Sequence, residues 1–178
     1  MRRNLIALYL IKLSKWFSLV MPIIVLFYEE QGLGLHEVFV LKSVYSVAAV
    51  TLEIPSGYLA DVWGRKRCLL WGSVLFFLGY LLYSFTGSFS AFLCAELLLG
   101  AGQTLVNGAD SALLYDTAAH HKAEQHYLRY EGRLTMIGNF AEAIAGIFGG
   151  LLAAYSLRFP FYGQAFVAFI GIPAALAI

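Results

Sequence analysis

The sequence has little charge, few cysteines and none of the short motifs that mark nucleotide-dependent or hydrolytic enzymes. Charged residues make up only 13% of the 178 positions, about half of the share that soluble domains carry. The formal net charge is +1, so no global field favours nucleic acid as a partner. Cys68 and Cys94 fall at opposite ends of neighbouring predicted helices, so we expect no disulfide between them. The sequence lacks a phosphate-binding glycine loop, G-x-S-x-G and H-E-x-x-H, which argues against an enzyme.

What the chain has instead is long apolar segments. Hydrophobic residues make up 60% of it and the mean hydropathy is +0.73, which requires lipid as the solvent. A helix needs about 20 mostly apolar residues to cross a bilayer core of roughly 30 Å. The first segment lacks a small-residue cleavage site and is interpreted as a retained span. The sequence therefore predicts an all-α membrane protein whose six transmembrane helices are Leu5–Tyr28, Val38–Leu59, Cys68–Phe85, Ala91–Leu114, Leu134–Tyr155 and Phe161–Ile178.

The distribution of lysine and arginine predicts the orientation of these spans. With the N-terminus inside, ten basic residues fall on the inner side and two on the outer side. By the positive-inside rule, both termini of a six-span, multi-pass protein of the cell (inner) membrane lie in the cytoplasm. The inner set is Arg2, Arg3, Lys12, Lys15, Arg65, Lys66, Arg67, Lys122, Arg129 and Arg133, and the outer set is Lys42 and Arg158.

Four carboxylates, Glu53, Glu96, Asp110 and Glu142, fall inside predicted spans. Each costs about 2.5–3.5 kcal/mol at a helix centre, so it must face water, pair with a cation or hold a proton. Alternatively, Glu53 pairs with a lysine of the first span, and Asp110 lies at headgroup depth. Spacings of three and four residues place the polar residues on shared helix faces. We expect these faces to converge on a water-filled path through the bundle. The candidate path residues are Glu53, Glu96, Gln103, Asn107, Asp110, Asn139 and Glu142.

The turn between the second and third spans, residues 57–69, reads G-Y-L-A-D-V-W-G-R-K-R-C-L. It resembles the loop between the second and third helices of the major facilitator superfamily, which runs roughly G-x-L-a-D-r-x-G-r-k-x-x-l. Val62 departs from that pattern, which usually has a basic residue there. The resemblance implies that residues 1–178 form the N-terminal six-helix half of a twelve-helix fold, built from two inverted three-helix repeats. The sixth span ends at Ile178 without a polar flank, so we expect a missing C-terminal half.

The resemblance also implies roles for the turn. In that family the aspartate and the arginine after the second glycine, here Asp61 and Arg65, latch the two halves on the cytoplasmic side, and Asp116 fits the acidic residue that joins them. For Lys66 the positive-inside rule alone is the better explanation. The predicted cytoplasmic gate motif is Gly57, Asp61, Gly64, Arg65, Lys66 and Asp116.

The function implied by the resemblance is secondary active transport by alternating access, with lipid and a small organic molecule, such as a drug, as partners. The runs 53–57 and 109–116 look like a bacterial drug-efflux-like branch, and 145–150 keeps the final glycines of an antiporter pattern without its proline. Glu96 stands four residues before Gly100, where many proton-coupled relatives have an arginine. We still expect proton coupling through Glu96, Asp110 or Glu142, since burial favours a protonated carboxyl group.

Two alternatives to a carrier half remain open. The first is a half-size membrane protein that acts as a homodimeric pore or assembly module. The small-residue pair Gly146 and Gly150 is explained by packing inside this half, although we expect it to face the missing half. The second is a membrane enzyme that uses the histidine-rich link 118–133. The spacing of its candidate ligands is irregular, so we predict no metal and no cofactor there; they are His120, His121, Glu124 and His126.

Overall fold

The chain folds as a bundle of helices joined by short connections. A computed structural model describes residues 2–120 and 127–178. No strand occurs in these ranges, and five of the helices within them, α3 to α7, are long and apolar enough to cross a membrane. The helices are α1 (Arg2–Trp16), α2 (Ile24–Glu30), α3 (Leu35–Val62), α4 (Arg65–Phe85), α5 (Phe89–His120), α6 (Tyr127–Ala153) and α7 (Phe159–Leu176).

The prediction of one continuous first span was wrong. Helix α1 ends at Trp16 and α2 begins at Ile24, with residues 17–23 unwound between them. Pro22 has no N–H to donate and disfavours helical geometry in the residue before it. The backbone N–H of Leu19 donates to Oε1 of the buried Gln164 on α7 at 2.8 Å. The break is therefore stabilised by a side chain from another helix.

Helices α4, α5 and α7 form the interior of the bundle. Helix α4 packs against both α5 and α7, while α3 packs on α5, and α1 packs on α6 and α7. The backbones of α4 and α5 come closest at Gly72 and Gly102. A β-carbon on either glycine would lie 3.0 Å from the carbonyl oxygen of the other. Small residues at this crossing are what allow the two helices to approach, as is usual in membrane bundles.

An aromatic core lies where α2, α4, α5 and α7 meet. Phe27, Tyr28, Tyr83, Phe92 and Phe161 are each no more than 1% exposed. The ring of Tyr83 stacks on Phe92 and on Phe161, with centroids 5.2 Å apart in both pairs. A buried cluster this tight fixes the positions of the hydroxyl groups of its two tyrosines.

Helices α3 and α6 are the least buried of the five long helices. Gly146 and Gly150 lie on α6, and a β-carbon on either would meet no atom within 4 Å. Both helices therefore present an apolar surface that other helices of the described structure leave uncovered. Its large side chains include Phe39, Val47, Val50 and Ile54 on α3, and Met136, Phe140, Ile144, Ile147, Phe148 and Leu151 on α6.

Candidate functional site

Two adjoining open cavities lie beside the helix break. One, of about 470 Å³, also contacts the aromatic core through Tyr83 and Phe161, and it is lined by Lys42 and Glu96. The other, of about 530 Å³, is lined in addition by Trp16, Asn107 and Glu142. The residues common to both cavities are Lys15, Ser18, Met21, Tyr45 and Gln103.

Glu96 sits in the wall of the first cavity as half of a closed ion pair. The residue is 1% exposed, and its Oε1 accepts hydrogen bonds from the hydroxyls of Tyr28 at 2.8 Å and Tyr83 at 2.7 Å. The ammonium of Lys42 on α3 donates to the same oxygen at 2.6 Å. Lys42 keeps 44% of its side chain exposed and lies 5.5 Å from the centroid of the Tyr28 ring. The two charges therefore cancel, and the buried Glu96 holds the pair in place while Lys42 stays partly exposed.

Lys15 is held differently, because its partner is an amide. Its ammonium donates to Oδ1 of Asn107, and Gln103 donates to the same oxygen at 3.3 Å. Within the described ranges, no carboxylate oxygen lies within 4.0 Å of the Lys15 ammonium. Lys15 therefore presents a positive charge to both cavities.

A third charged group connects α1, α5 and α6. The ammonium of Lys12 donates to Glu131 Oε1 at 2.6 Å and lies 3.8 Å from Asp110 Oδ2. Lys12 and Asp110 are buried. The placement of Asp110 at headgroup depth therefore gains no support, since its carboxylate is paired with a cation inside the bundle. The sequence reading did not single out Glu131, although it lies one turn inside α6.

The α3–α4 turn brings two of its motif residues, Arg65 and Asp116, into contact. Gly64 has φ of +92°, a conformation that side chains with a β-carbon disfavour. The guanidinium of Arg65 donates to the Asp116 carboxylate and to the carbonyl of Ala112, which ties α4 to α5. Asp61 is exposed.

The other two motif residues make contacts of their own. Lys66 donates to the carbonyl of Leu176 at 2.9 Å, a contact that the positive-inside rule does not require. The backbone nitrogen of Gly57 lies 3.5 Å from where a β-carbon on Gly108 would be, so α3 and α5 are close here. The turn is thus fastened to α5 and to the end of α7.

The structure gathers some predicted path residues and separates others. Glu96, Gln103, Asn107 and Glu142 line the cavities. Glu53 is exposed on α3, and the two α1 lysines that it was expected to meet bind other residues. Asn139 is exposed and is not among the residues that line either cavity.

The histidine-rich link stays a prediction. Its candidate ligands lie outside the part of the chain whose side chains the structure describes; they are His120, His121, Glu124 and His126.

The bundle of long apolar helices with charged groups in its interior defines a multi-pass membrane protein. The chain belongs to the Major Facilitator Superfamily, whose profile matches residues 13–178. This confirms the family resemblance that the α3–α4 turn indicated.

Two relatives are similar over most of the chain. An uncharacterised MFS-type transporter, MJ1560 of Methanocaldococcus jannaschii, is 24% identical over 156 residues, which are 87% of this chain and 39% of the relative. The quinolone resistance protein NorA of Staphylococcus aureus is 23% identical over 145 residues, which are 82% of this chain and 36% of NorA. The chain thus spans less than two fifths of the length of these relatives.

Proposed function

We propose that the chain is the N-terminal half of a secondary active transporter that moves a small organic molecule across the cell (inner) membrane by alternating access. The observation that carries this proposal is the pair of cavities, in which Lys15, Lys42, Glu96 and Glu142 bring charge into a membrane bundle. Intramembrane charges are costly and commonly mark a substrate or ion pathway. Membership of the superfamily and the similarity to NorA support this reading, and they make drug-like amphiphiles reasonable first substrates.

The uncovered faces of α3 and α6 fit the docking of a second half-bundle. In this proposal the cavities lie between the two halves, and the pair Gly146 and Gly150 allows a helix of the other half to approach closely. A second copy of this chain would cover the same faces in the homodimeric alternative. The mass of one polypeptide of the complete gene product, measured by mass spectrometry, separates the two when it is combined with the mass of the complex in detergent from light scattering. A single chain with about twelve spans supports the carrier half, and a dimer of the short chain supports the alternative.

The α3–α4 turn is the proposed cytoplasmic gate. Arg65 and Asp116 already hold α4 to α5, and the exposed Asp61 is placed to meet the other half. Replacing Asp61 with asparagine should therefore slow transport without unfolding the bundle. Replacing Arg65 with glutamine should slow transport and also loosen the α4–α5 contact.

Transport itself is tested with the complete gene product in proteoliposomes. A counterflow screen of amphipathic compounds should show accumulation that depends on the protein and saturates with concentration. A folded preparation that moves none of the compounds would contradict the proposed function.

Proton coupling is a separate arm of the same experiment. We propose that Asp110 or Glu142 carries the proton. Lys42 and two tyrosine hydroxyls hold Glu96 at 2.6–2.8 Å, whereas Lys12 lies 3.8 Å from Asp110 and no described cation lies within 4.0 Å of Glu142. An uncoupler should then abolish uphill accumulation and leave counterflow intact. Uphill accumulation that persists with the gradient collapsed would remove the coupling and leave the carrier function standing.

A further inference from the structure

We propose that the adjoining cavities select organic zwitterions, with the anionic group of the ligand bound by Lys15 and its cationic group bound by Glu142. This inference rests on the proposed transport function and names the class of substrate for the same site.

Of the four charged groups that line the cavities, two pair with each other and two do not. Lys42 and Glu96 satisfy each other at 2.6 Å, and two tyrosine hydroxyls complete the hydrogen bonding of that carboxylate oxygen. Lys15 and Glu142 both line the second cavity. Among the side chains that the structure describes, no opposite charge lies within 4.0 Å of either group. The cavity therefore offers one positive and one negative group that have not paired.

The two unpaired groups favour a ligand that carries both signs. A ligand with a single charge would satisfy one of them and would shield the other from water without giving it a partner. Leaving a charged group desolvated and unpaired weakens binding, whereas each additional charge-assisted contact strengthens it about tenfold. A zwitterion makes both contacts at once and adds no net charge to the membrane interior.

The remaining lining suits the body of such a molecule. Tyr45 lines both cavities, and Phe76, Tyr80 and Phe161 line the first. Asn107 holds the Lys15 ammonium in place and leaves its other N–H groups for a ligand. Ligand pockets commonly combine a mostly apolar and aromatic lining with a few fixed polar groups. The lining thus suits an aromatic molecule that carries one charged group of each sign.

The test uses four fluorescent probes that share one aromatic body. They carry a quaternary ammonium, a sulfonate, both groups, or neither, so their charges do not change with pH. Saturable binding to the complete gene product is measured in proteoliposomes, together with counterflow of the same probes. We expect the zwitterion to bind about tenfold more tightly than either singly charged probe.

Variants then assign the two contacts. Lys15→Gln should weaken the zwitterion and the anion about tenfold and leave the cation unchanged, and Glu142→Gln should do the opposite. Exchanging the two charges, in the double variant Lys15→Glu with Glu142→Lys, should return zwitterion binding to within about threefold of the original. Arg129→Gln and Glu30→Gln are matched controls, since both residues are exposed and line neither cavity.

The comparison of the four probes on the unaltered protein needs no variant, so it tests the zwitterion selectivity even if a variant fails to fold. Equal binding of all four probes, or preference for a singly charged probe, would overturn the proposal. If any probe is carried in counterflow, the transport function stands without the zwitterion selectivity. If no probe binds and the wider counterflow screen is also negative, both proposals fail.

Discussion

Replacing Lys42 should destabilise the bundle more than replacing Glu96, although the two residues form one ion pair. At their separation of 2.6 Å, an effective dielectric constant of about 20 gives a gross attraction of about 6 kcal/mol. Much of that attraction is offset by the cost of removing the carboxylate from water. The net loss of stability depends on which side chain is replaced, because Lys42 is far more exposed than Glu96.

The two single variants leave different groups behind. Lys42→Gln leaves a carboxylate that is 1% exposed, with only two tyrosine hydroxyls for compensation. Breaking a fully buried pair costs about 3–5 kcal/mol, and the 44% exposure of Lys42 reduces this, so we expect a loss of about 2–4 kcal/mol. Glu96→Gln keeps an oxygen acceptor for both tyrosines and releases the ammonium toward water, so its loss should be about 1 kcal/mol. The double variant should recover most of the loss caused by Lys42→Gln.

The free energy of unfolding is measured by titrating the purified protein with SDS in mixed micelles, followed by far-UV circular dichroism. Arg129→Gln is a matched control, because this exposed cation should contribute almost nothing. Equal losses for the two single variants, or a larger loss for Glu96→Gln, would refute the reasoning. A double variant as unstable as Lys42→Gln alone would show that the unpaired carboxylate is not the cause.

Three further predictions concern the helix break, helix packing and the thiols. Gln164→Leu should lower the free energy of unfolding in the same titration by about 1–3 kcal/mol, because it leaves the buried backbone N–H at the break without an acceptor. Gly149→Ala should destabilise by about 1–3 kcal/mol, since the new methyl group would collide with the carbonyl of that break. Gly132→Ala, exposed near the start of α6 with no atom within 4 Å of the new methyl group, should stabilise α6 by up to about 1 kcal/mol; stabilisation by both substitutions would contradict the packing. A membrane-permeant maleimide should label the exposed Cys94 before the buried Cys68, and mass spectrometry of the labelled peptides reports the order.

Hydropathy predicted which segments enter the membrane better than where the helices end. The predicted span Leu134–Tyr155 overlaps α6, but the helix begins seven residues earlier at Tyr127, includes polar residues and ends at Ala153. Helix α5 likewise runs past the predicted end at Leu114 to His120. The reason is physical: hydropathy reports which residues prefer lipid, whereas backbone hydrogen bonding can continue into water. The break after Trp16 was missed because the apolar run continues through it, and its stabilising contact comes from α7.

For a similar reason, some residues of the candidate site could be predicted from the sequence and others could not. The spacing of Glu96, Gln103 and Asn107 placed them on one face, and the structure puts that face on the cavities. From the sequence, Lys42 served only to orient the chain and Lys15 served that purpose and as a possible partner of Glu53, yet both line the first cavity. Periodicity within one helix cannot show which helix will face another. The lysine contacts join positions far apart in the sequence, 54 residues in the case of Lys42 and Glu96.

Four contacts between a charged side chain of another helix and a polar side chain of α5 make α5 the polar axis of the bundle. Lys42 on α3 meets Glu96, Lys15 on α1 meets Asn107, Lys12 on α1 approaches Asp110, and Arg65 at the start of α4 meets Asp116.

These contacts follow one another along α5 from the aromatic core to the α3–α4 turn, over about 20 residues and therefore about 30 Å. Because lipid gives no hydrophobic drive for one apolar helix to prefer another, such contacts help to determine which helices meet and in what register. Among the described residues, α6 is linked to this axis by the contact of Glu131 with Lys12 and by the rings of Tyr127 and Tyr115, whose centroids are 5.6 Å apart. Its Glu142 carries the unpaired negative charge of the cavity, so α6 contributes both to the register of the bundle and to the candidate site.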